Sequence, residues 1–271
     1  RRKRNSAGCE VFVKTLLIDG NSLIHRAFYA LPLLSTEDGT YTNAVYGFLK
    51  MFYRVADEYQ PDHVVCAFDV KQPTFRHQRY AAYKAGRKKM PEELVPQIPL
   101  LKEILTALGV RCAEAPGFEA DDIIGTYSLL SDEEGGACVV LTGDRDALQL
   151  ISENTTVWLT KKGITEVEKL TPEGLMDAYG LTPAQICDLK GLMGDSSDNI
   201  PGIAGVGEKT ALSLLEKYRC LENVLAHAEE IPGKLGEKIR AGAEAAKESK
   251  FLATIVRDVE VAPLRECVYT P

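Results

Sequence analysis

The chain has no C-x-x-C pair, and its 7 cysteines stand apart at 9, 66, 112, 138, 187, 220 and 267. An odd, scattered set excludes a zinc ribbon and a disulfide framework and fits a reducing cytoplasm. Cys66 and Cys138 lie in apolar runs and read as small core residues. No apolar run approaches the roughly 18 residues of a membrane span, so no membrane partner is expected. The basic start, Arg1 to Arg4, is followed by Cys9, Glu10, Lys14 and Asp19, which break up the apolar stretch of a secretion signal. Repeats and low-complexity linkers are lacking as well. The first residue is not Met, and a segment of a longer protein is expected.

What is present is an ordinary globular composition, 45% hydrophobic and 26% charged over 271 residues, enough for a large core. The net charge of −7 argues at first against a nucleic-acid partner, but the distribution matters more than the sum. From Lys71 to Lys89 there are seven basic residues and no acidic one, whereas a plain solvated face would mix signs.

Three short β-branched runs end close to an aspartate. VKTLLI (13–18) leads to Asp19, HVVCAF (63–68) to Asp69, and ACVVLT (137–142) through Gly143 to Asp144. Helical patterns separate them over 42–59, 94–108 and 119–130. Buried strands alternating with helices predict an α/β fold with a mostly parallel central sheet and helices on both faces. Ligands in such sheets bind outside the carboxyl ends of the strands, so Asp19, Asp69 and Asp144 are expected at one rim. After Thr171, read as the cap of a helix beginning at Pro172, shorter helical patterns follow over 182–192, 209–218 and 234–250. The boundaries expected are an α/β domain over 1–170, with a basic segment at about 71–95, and a helical subdomain over 171–271. Residues after Ala262 read as a tail or linker.

Further acids join the three aspartates. Glu119, Asp121 and Asp122 open one helix, Asp146 follows Asp144, and Asp195 and Asp198 sit in a Gly/Ser/Asn-rich loop. Any one of them alone is more often a turn former or a helix cap. Gathered at one rim they could not all stay ionised without cations. Oxygen donors with no His or Cys select hard ions, Mg²⁺ first and Mn²⁺ second, and two such ions can drive phosphodiester hydrolysis. The segment Gly202-Ile-Ala-Gly205-Val-Gly207-Glu208-Lys209-Thr210 resembles a nucleotide-binding P-loop. Glu208 interrupts that motif and no strand precedes it, which disfavours an NTP-binding switch. A hairpin between two helices, whose amides grip a DNA phosphate, fits better.

LLIDGNSLIHRAF, TNAVYGF, YKAGR, GFEADDIIGT, LTGDRDALQL and GLMGDSSDNIPGIAGVGEKTA together resemble the bacterial 5′ nuclease family, relatives of the flap endonucleases that include the N-terminal 5′→3′ exonuclease domain of DNA polymerase I. The likeness runs from about Lys14 to Ala262. It implies a PIN-like, resolvase-type sheet domain, a helical arch formed by the basic segment, and a helix–three-turn–helix at about 186–218 that binds duplex DNA and often a K⁺ ion. The implied metal ligands are Asp19, Asp69, Glu119, Asp121, Asp122, Asp144 and Asp146, mainly for a first ion, and Asp195 and Asp198 for a second. Lys84 and Arg87 are implied as catalytic cations at the scissile phosphate. The implied DNA contacts are Arg26, Arg76, Arg79, Tyr83, Lys84 and Arg87, with Gly202, Gly205, Gly207, Lys209 and Thr210 on the duplex. The resemblance implies a monomeric, cytoplasmic, nucleoid-associated bacterial enzyme cutting 5′ flaps, nicks or 5′-ended duplexes, with a covalently linked polymerase as partner. The alternatives are a PIN-like ribonuclease and a non-catalytic DNA-positioning domain.

Overall fold

In the computed structural model, described over residues 3–4, 10–161 and 163–270, the chain divides into two compact units. One comprises 1–72, 89–172 and 256–271, the other 73–88 and 173–255. Arg1, Arg2 and Cys9, which entered the reading of the basic start and the cysteines, lie outside the described residues. The other six cysteines are free thiols. Among the described residues no helix is long and apolar enough to cross a membrane.

The first unit begins with a short antiparallel pair, β1 (Lys3–Arg4) and β2 (Glu10–Val11). It then builds a six-stranded sheet from β3 (Lys14–Asp19), β4 (His63–Ala67), β5 (Arg111–Ala113), β6 (Ala137–Thr142), β7 (Thr155–Thr160) and β8 (Val167–Leu170). The order is β5-β4-β3-β6-β7-β8, parallel throughout except that β8 runs antiparallel to β7. Leu16 and Ile18 face a core shared with α1 (Gly20–Ala30), α2 (Asn43–Tyr59) and α4 (Gln97–Ala107). On the other face α5 (Ala120–Glu133) packs over β3 and β6, with Ser131 Oγ 3.5 Å from Thr15 Oγ1. Helices thus cover both faces, as the unbroken apolar strands require.

Two local features differ from the sequence reading. Residues after Ala262 are no tail: Leu264, Cys267 and Tyr269 are buried, and Tyr269 packs its ring edge on Phe52 at 5.9 Å. The Val64 amide donates to Cys267 O at 3.1 Å and the Tyr269 amide to Asp62 O at 2.8 Å, which fastens this segment to β4. Its apolar side chains are spaced among charged ones, which hid the pattern in a single sequence. Ahead of it, the Val256 amide donates to Asp122 Oδ1 and Arg257 donates to Gly125 O and Ser128 Oγ, so the chain runs back along α5.

The second unit is helical: α3 (Phe75–Arg79), α6 (Pro172–Tyr179), α7 (Gln185–Met193), α8 (Glu208–Tyr218), α9 (Leu221–Ala226), α10 (Gly233–Ala241) and α11 (Ala243–Ala253). The pattern over 234–250 breaks at Gly242 into two helices, where a Cβ would lie 2.8 Å from Ile203 Cγ2. Lys250 ties three helices, with Nζ 2.7 Å from Asp188 and 2.7 Å from Glu222. The basic segment 73–88 belongs to this unit rather than to the sheet, because α3 is bound to α11. Arg76 donates from Nε to Leu252 O at 2.9 Å and from Nη2 to Thr254 O at 2.7 Å.

Candidate functional site

In the sheet unit, three neighbouring parallel strands deliver aspartates to one rim. Asp19 is the last residue of β3, Asp69 lies two residues past β4, and Asp144 two past β6. Each is fixed by backbone. Asp19 caps α1, its Oδ1 accepting from the Ser22 amide at 2.9 Å and its Oδ2 from the Thr142 hydroxyl at 2.7 Å. Gly20 follows because α1 starts against β4, where a Cβ would sit 2.5 Å from the Phe68 ring. Asp69 accepts from the Ala120 amide at 2.8 Å, and this bond brings the first turn of α5 to the rim. Glu119 and Asp122 form a reciprocal capping box there, and Asp121 stands in the same turn. Asp122 is fully buried, with Oδ2 accepting from the Glu119 amide at 3.0 Å and Oδ1 from the Val256 amide at 3.0 Å. Asp144 caps the 3₁₀ helix Arg145–Leu150 through the Asp146 amide at 3.0 Å.

Seven of the nine acids read from the sequence therefore belong to this one rim. The Asp19 carboxyl is raised to about 7. Burial is the main cause, the charges of Asp144 and Asp69 add to it, and the Ser22 and Thr142 donors oppose it. Among the described residues no three acidic, histidine or cysteine side chains close into a ready cage for an ion. The rim is a carboxylate-rich edge whose oxygens rest on backbone amides. Its donors suit a hard divalent cation, and Asp19 is the group whose ionisation such a cation would favour.

This has a measurable consequence. Asp19 titrates near 7 in the fold and near 3.8 when exposed, so between those values the native chain holds a proton that the unfolded chain has lost. Its contribution to stability therefore falls as pH rises through that window and levels off above it. The metal-free protein should melt at a lower temperature at pH 8 than at pH 5. Mg²⁺ should raise the melting temperature more at pH 8, and Asp19→Asn should flatten both dependences. A thermal-shift series at two pH values, with and without Mg²⁺, checks this; an unchanged slope in the variant contradicts it.

In the helical unit the remaining two acids each have cations of their own. The loop carrying them is closed by reciprocal bonds between Asp195 and Ile200, at 2.8 and 2.7 Å. Burial pushes the Asp195 carboxyl up, but the Lys190 ammonium at 2.5 Å and donors from Ser197 outweigh it and bring it down to about 2. Asp198 accepts from Arg87 Nη2 at 2.5 Å and from the Tyr83 hydroxyl at 3.2 Å, with Lys84 Nζ at 3.8 Å.

The sequence-derived DNA contacts fall into different settings. Arg76, expected to steer a strand, is 2% exposed with its guanidinium spent on carbonyls, and it anchors α3 instead. Tyr83, expected to stack on a base, is buried with its ring edge on His77 at 5.2 Å. Arg79 is exposed and paired with Glu248 at 2.9 Å. In the sheet unit Arg26 donates to Lys161 O at 2.5 Å, its Nε is buried without a hydrogen bond, and burial lowers its pKa. The segment 202–207 leads into α8 from the loop that follows α7, so a loop and not a strand precedes it, unlike in a P-loop. Gly207 caps α8, and Glu208, Lys209 and Thr210 form its first turn.

Sequence reasoning missed the neutral residues that hold the acids. Thr142 spans two of them, donating to Asp19 and accepting from the Asp144 amide at 3.0 Å. Asn21 accepts from the Asp69 amide at 3.1 Å, and Ser22 accepts from the Gly143 amide at 3.0 Å. The only hint was their place, Thr142 at the end of β6 and Asn21 and Ser22 in the first turn of α1 just past β3.

Comparison with known proteins accords with this layout. Residues 14–180 match the 5′-3′ exonuclease N-terminal resolvase-like domain, and 181–271 match the 5′-3′ exonuclease C-terminal SAM fold. DNA polymerase I of Geobacillus stearothermophilus is 53% identical over 249 residues, and that of Bacillus subtilis (strain 168) 49%. Each alignment covers 92% of this chain, which spans 28% of those relatives' length. In fold, the chain is similar to T5 5′-exonuclease with divalent zinc bound, at TM-score 0.73 and 19% identity over 89% of both chains. It is also similar to the catalytic core of Rad2 in complex with DNA substrate, at TM-score 0.58 and 16% identity, covering 95% of this chain and 82% of that one. With both family domains matched end to end and half of its residues shared with such relatives, the chain belongs to the 5′-3′ exonuclease family.

Proposed function

We propose that the chain is a structure-selective 5′ nuclease domain that hydrolyses DNA phosphodiesters with two divalent cations, leaving 5′-phosphate and 3′-hydroxyl ends. The carrying observation is the rim itself: seven carboxylates from strand ends and helix starts, with Asp19 resisting ionisation because it is buried and, to a lesser degree, because Asp144 and Asp69 are near. Mg²⁺ fits this donor set first and Mn²⁺ second. Asp19, Asp69, Glu119, Asp121, Asp144 and Asp146 would hold one ion, with Asp122 setting the first turn of α5; Asp195 and Asp198 would serve the second. When bound, two such ions activate water and stabilise the leaving oxygen. The chain's own part is to hold Asp19, Asp69, Glu119, Asp122 and Asp144 on backbone amides, so that little reorganisation is needed.

Lys84 and Arg87 supply cationic donors to the charge developing on the scissile phosphate. Arg26 lends the charge of its guanidinium to a backbone phosphate, and exposed Arg79 lends charge to the strand. The 202–207 segment and the first turn of α8, with Lys209, grip a duplex phosphate through amides. This makes α7 to α8 the helix–three-turn–helix, with K⁺ bound there. Solved relatives support the DNA reading: a T5 flap endonuclease is in complex with DNA and metal ions, and Rad2 with DNA substrate. The relatives named DNA polymerase I support a covalently linked polymerase as partner. A monomer in the bacterial cytoplasm, associated with the nucleoid, completes the proposal.

The test pairs a 5′-labelled DNA flap duplex with a single-stranded RNA, each with Mg²⁺. Cutting of the flap with the RNA spared supports the reading; preferential cutting of the RNA replaces it with a ribonuclease. Lys84→Ala should lower turnover on the order of 10²-fold while changing DNA affinity little, since its donor matters most in the transition state. Single-turnover kinetics beside a binding titration checks this, and unaltered turnover contradicts the role.

A further inference from the structure

Tyr83, Lys84 and Arg87 converge on one anion, and that anion belongs to the protein. The Tyr83 hydroxyl and Arg87 Nη2 donate to the Asp198 carboxylate at 3.2 and 2.5 Å, with Lys84 Nζ 3.8 Å away. A carboxylate ringed by a phenol, an ammonium and a guanidinium has the surroundings of a bound phosphate oxygen. The backbones are joined as well. The Lys84 amide donates to Asp198 O at 2.8 Å, and Asn199 Nδ2 donates to Ala82 O at 2.7 Å. Lys84 and Asn199, on either side of this junction, both have left-handed backbones at φ 55°. Neither is glycine, so each conformation is strained and held by its contacts.

The anchoring is uneven along the segment. At α3 it is permanent: buried Arg76 donates to Leu252 O and Thr254 O, and Arg79 pairs with Glu248. Arg76 is buried there, out of reach of a phosphate from solvent. Past Tyr80 two backbone oxygens help to hold the segment, and the side chains of Lys84 and Arg87 meet one carboxylate, Asp198, proposed above as a metal ligand.

We propose that Asp198 is a positioning residue that stands in for the substrate phosphate, keeping Lys84 and Arg87 in place until a divalent cation takes the carboxylate and releases them. The inference rests on the reading of Asp198 as a metal ligand. A carboxylate that gives its charge to a divalent ion holds an ammonium and a guanidinium less strongly, so the two cations become available when the metal site fills. Metal loading and delivery of the catalytic cations are thereby one event.

The test is hydrogen–deuterium exchange on the DNA-free full chain, with Mg²⁺ alone as probe, in wild type and Asp198→Asn, beside Mg²⁺ calorimetry. The amides of Lys84 and Arg87 report the exchangeable part, and those of Gln78 and Tyr80, bonded within α3, are the internal reference. Mg²⁺ should speed exchange over 82–87 about tenfold in wild type, the amount by which weakening the tie by 1.4 kcal/mol raises opening. In Asp198→Asn that exchange should be fast already and insensitive to Mg²⁺, with 78–80 unchanged in both proteins. If Mg²⁺ binds, binds more weakly to the variant, and leaves 82–87 unmoved in wild type, the stand-in role is overturned while the metal reading survives. If the variant binds Mg²⁺ as wild type does, the metal reading of Asp198 falls and the inference with it. A rise spread evenly over 75–88 in the variant would mean a general loss of fold and would also overturn the proposal. Tyr83→Phe, which removes one donor and no charge, should raise the basal exchange less than Asp198→Asn; an equal rise would mean that the neutral phenol hydrogen bond, not the two cations, holds the segment, and would overturn the proposal.

Discussion

Asp144→Asn should abolish flap cleavage while leaving the fold and the DNA affinity in place. The substitution is nearly isosteric, and an amide oxygen can still accept the Asp146 N–H that Asp144 now accepts at 3.0 Å, so the 3₁₀ helix keeps its cap. What is lost is one negative charge at the rim, beside Asp19. Losing a ligand charge removes several kcal/mol of metal-borne stabilisation of the transition state, hence on the order of 10³-fold in rate. The metal-free variant should melt no lower than wild type, because one like-charge repulsion is gone. Its gain in melting temperature on adding Mg²⁺ should shrink. Single-turnover cleavage, a binding titration and thermal shift measure the three effects; normal cleavage by the variant would remove Asp144 from the metal site.

Gly202→Ala should be the most damaging small substitution in the helical unit. Gly202 has φ +62°, and an added Cβ would lie 2.2 Å from the Gly194 backbone nitrogen and 2.5 Å from the Met193 carbonyl carbon. Both obstacles are main chain at the end of α7, so no side chain can swing aside. The left-handed backbone costs an alanine about 1 kcal/mol, and displacing a fixed main chain brings the total to roughly 3 kcal/mol or more. For a protein of this size that corresponds to a fall of about 6–12 °C in melting temperature. The same shift would move the 202–207 segment off Ser249, whose hydroxyl accepts the Gly202 amide at 2.9 Å. Duplex binding should weaken with it. Gly207→Ala is the control, since a Cβ there meets nothing within 4 Å. Equal melting temperatures for the two variants would contradict the argument.

The sheet was legible where one physical signal dominated. The runs that became β3, β4 and β6 are apolar on both faces and end near an acid, and they occupy the centre of the sheet. The edges were not legible. β5 is three residues, and β8, VEKL, is amphipathic and antiparallel, so neither carries the continuous apolar run of a buried parallel strand. Of the site, the acids could be found because their type and position repeat, whereas Thr142, Asn21 and Ser22 look like ordinary polar residues until their bonds are seen. Arg76 shows the reverse failure. A basic run reads as a strand-binding surface, but one arginine in it is buried against the carbonyls that end α11, a pairing 176 residues apart. Sequence separation also hid the return of 256–270 to α5 and β4.

The most direct test of the account is the cleavage of a 5′-labelled flap duplex by the wild-type chain, with Mg²⁺ and then with excess EDTA. The account expects cutting near the junction of single and double strand, 5′-phosphate on the retained end, and no cutting with EDTA. Cleavage undiminished by EDTA, or tight binding with no cleavage in either Mg²⁺ or Mn²⁺, would contradict it.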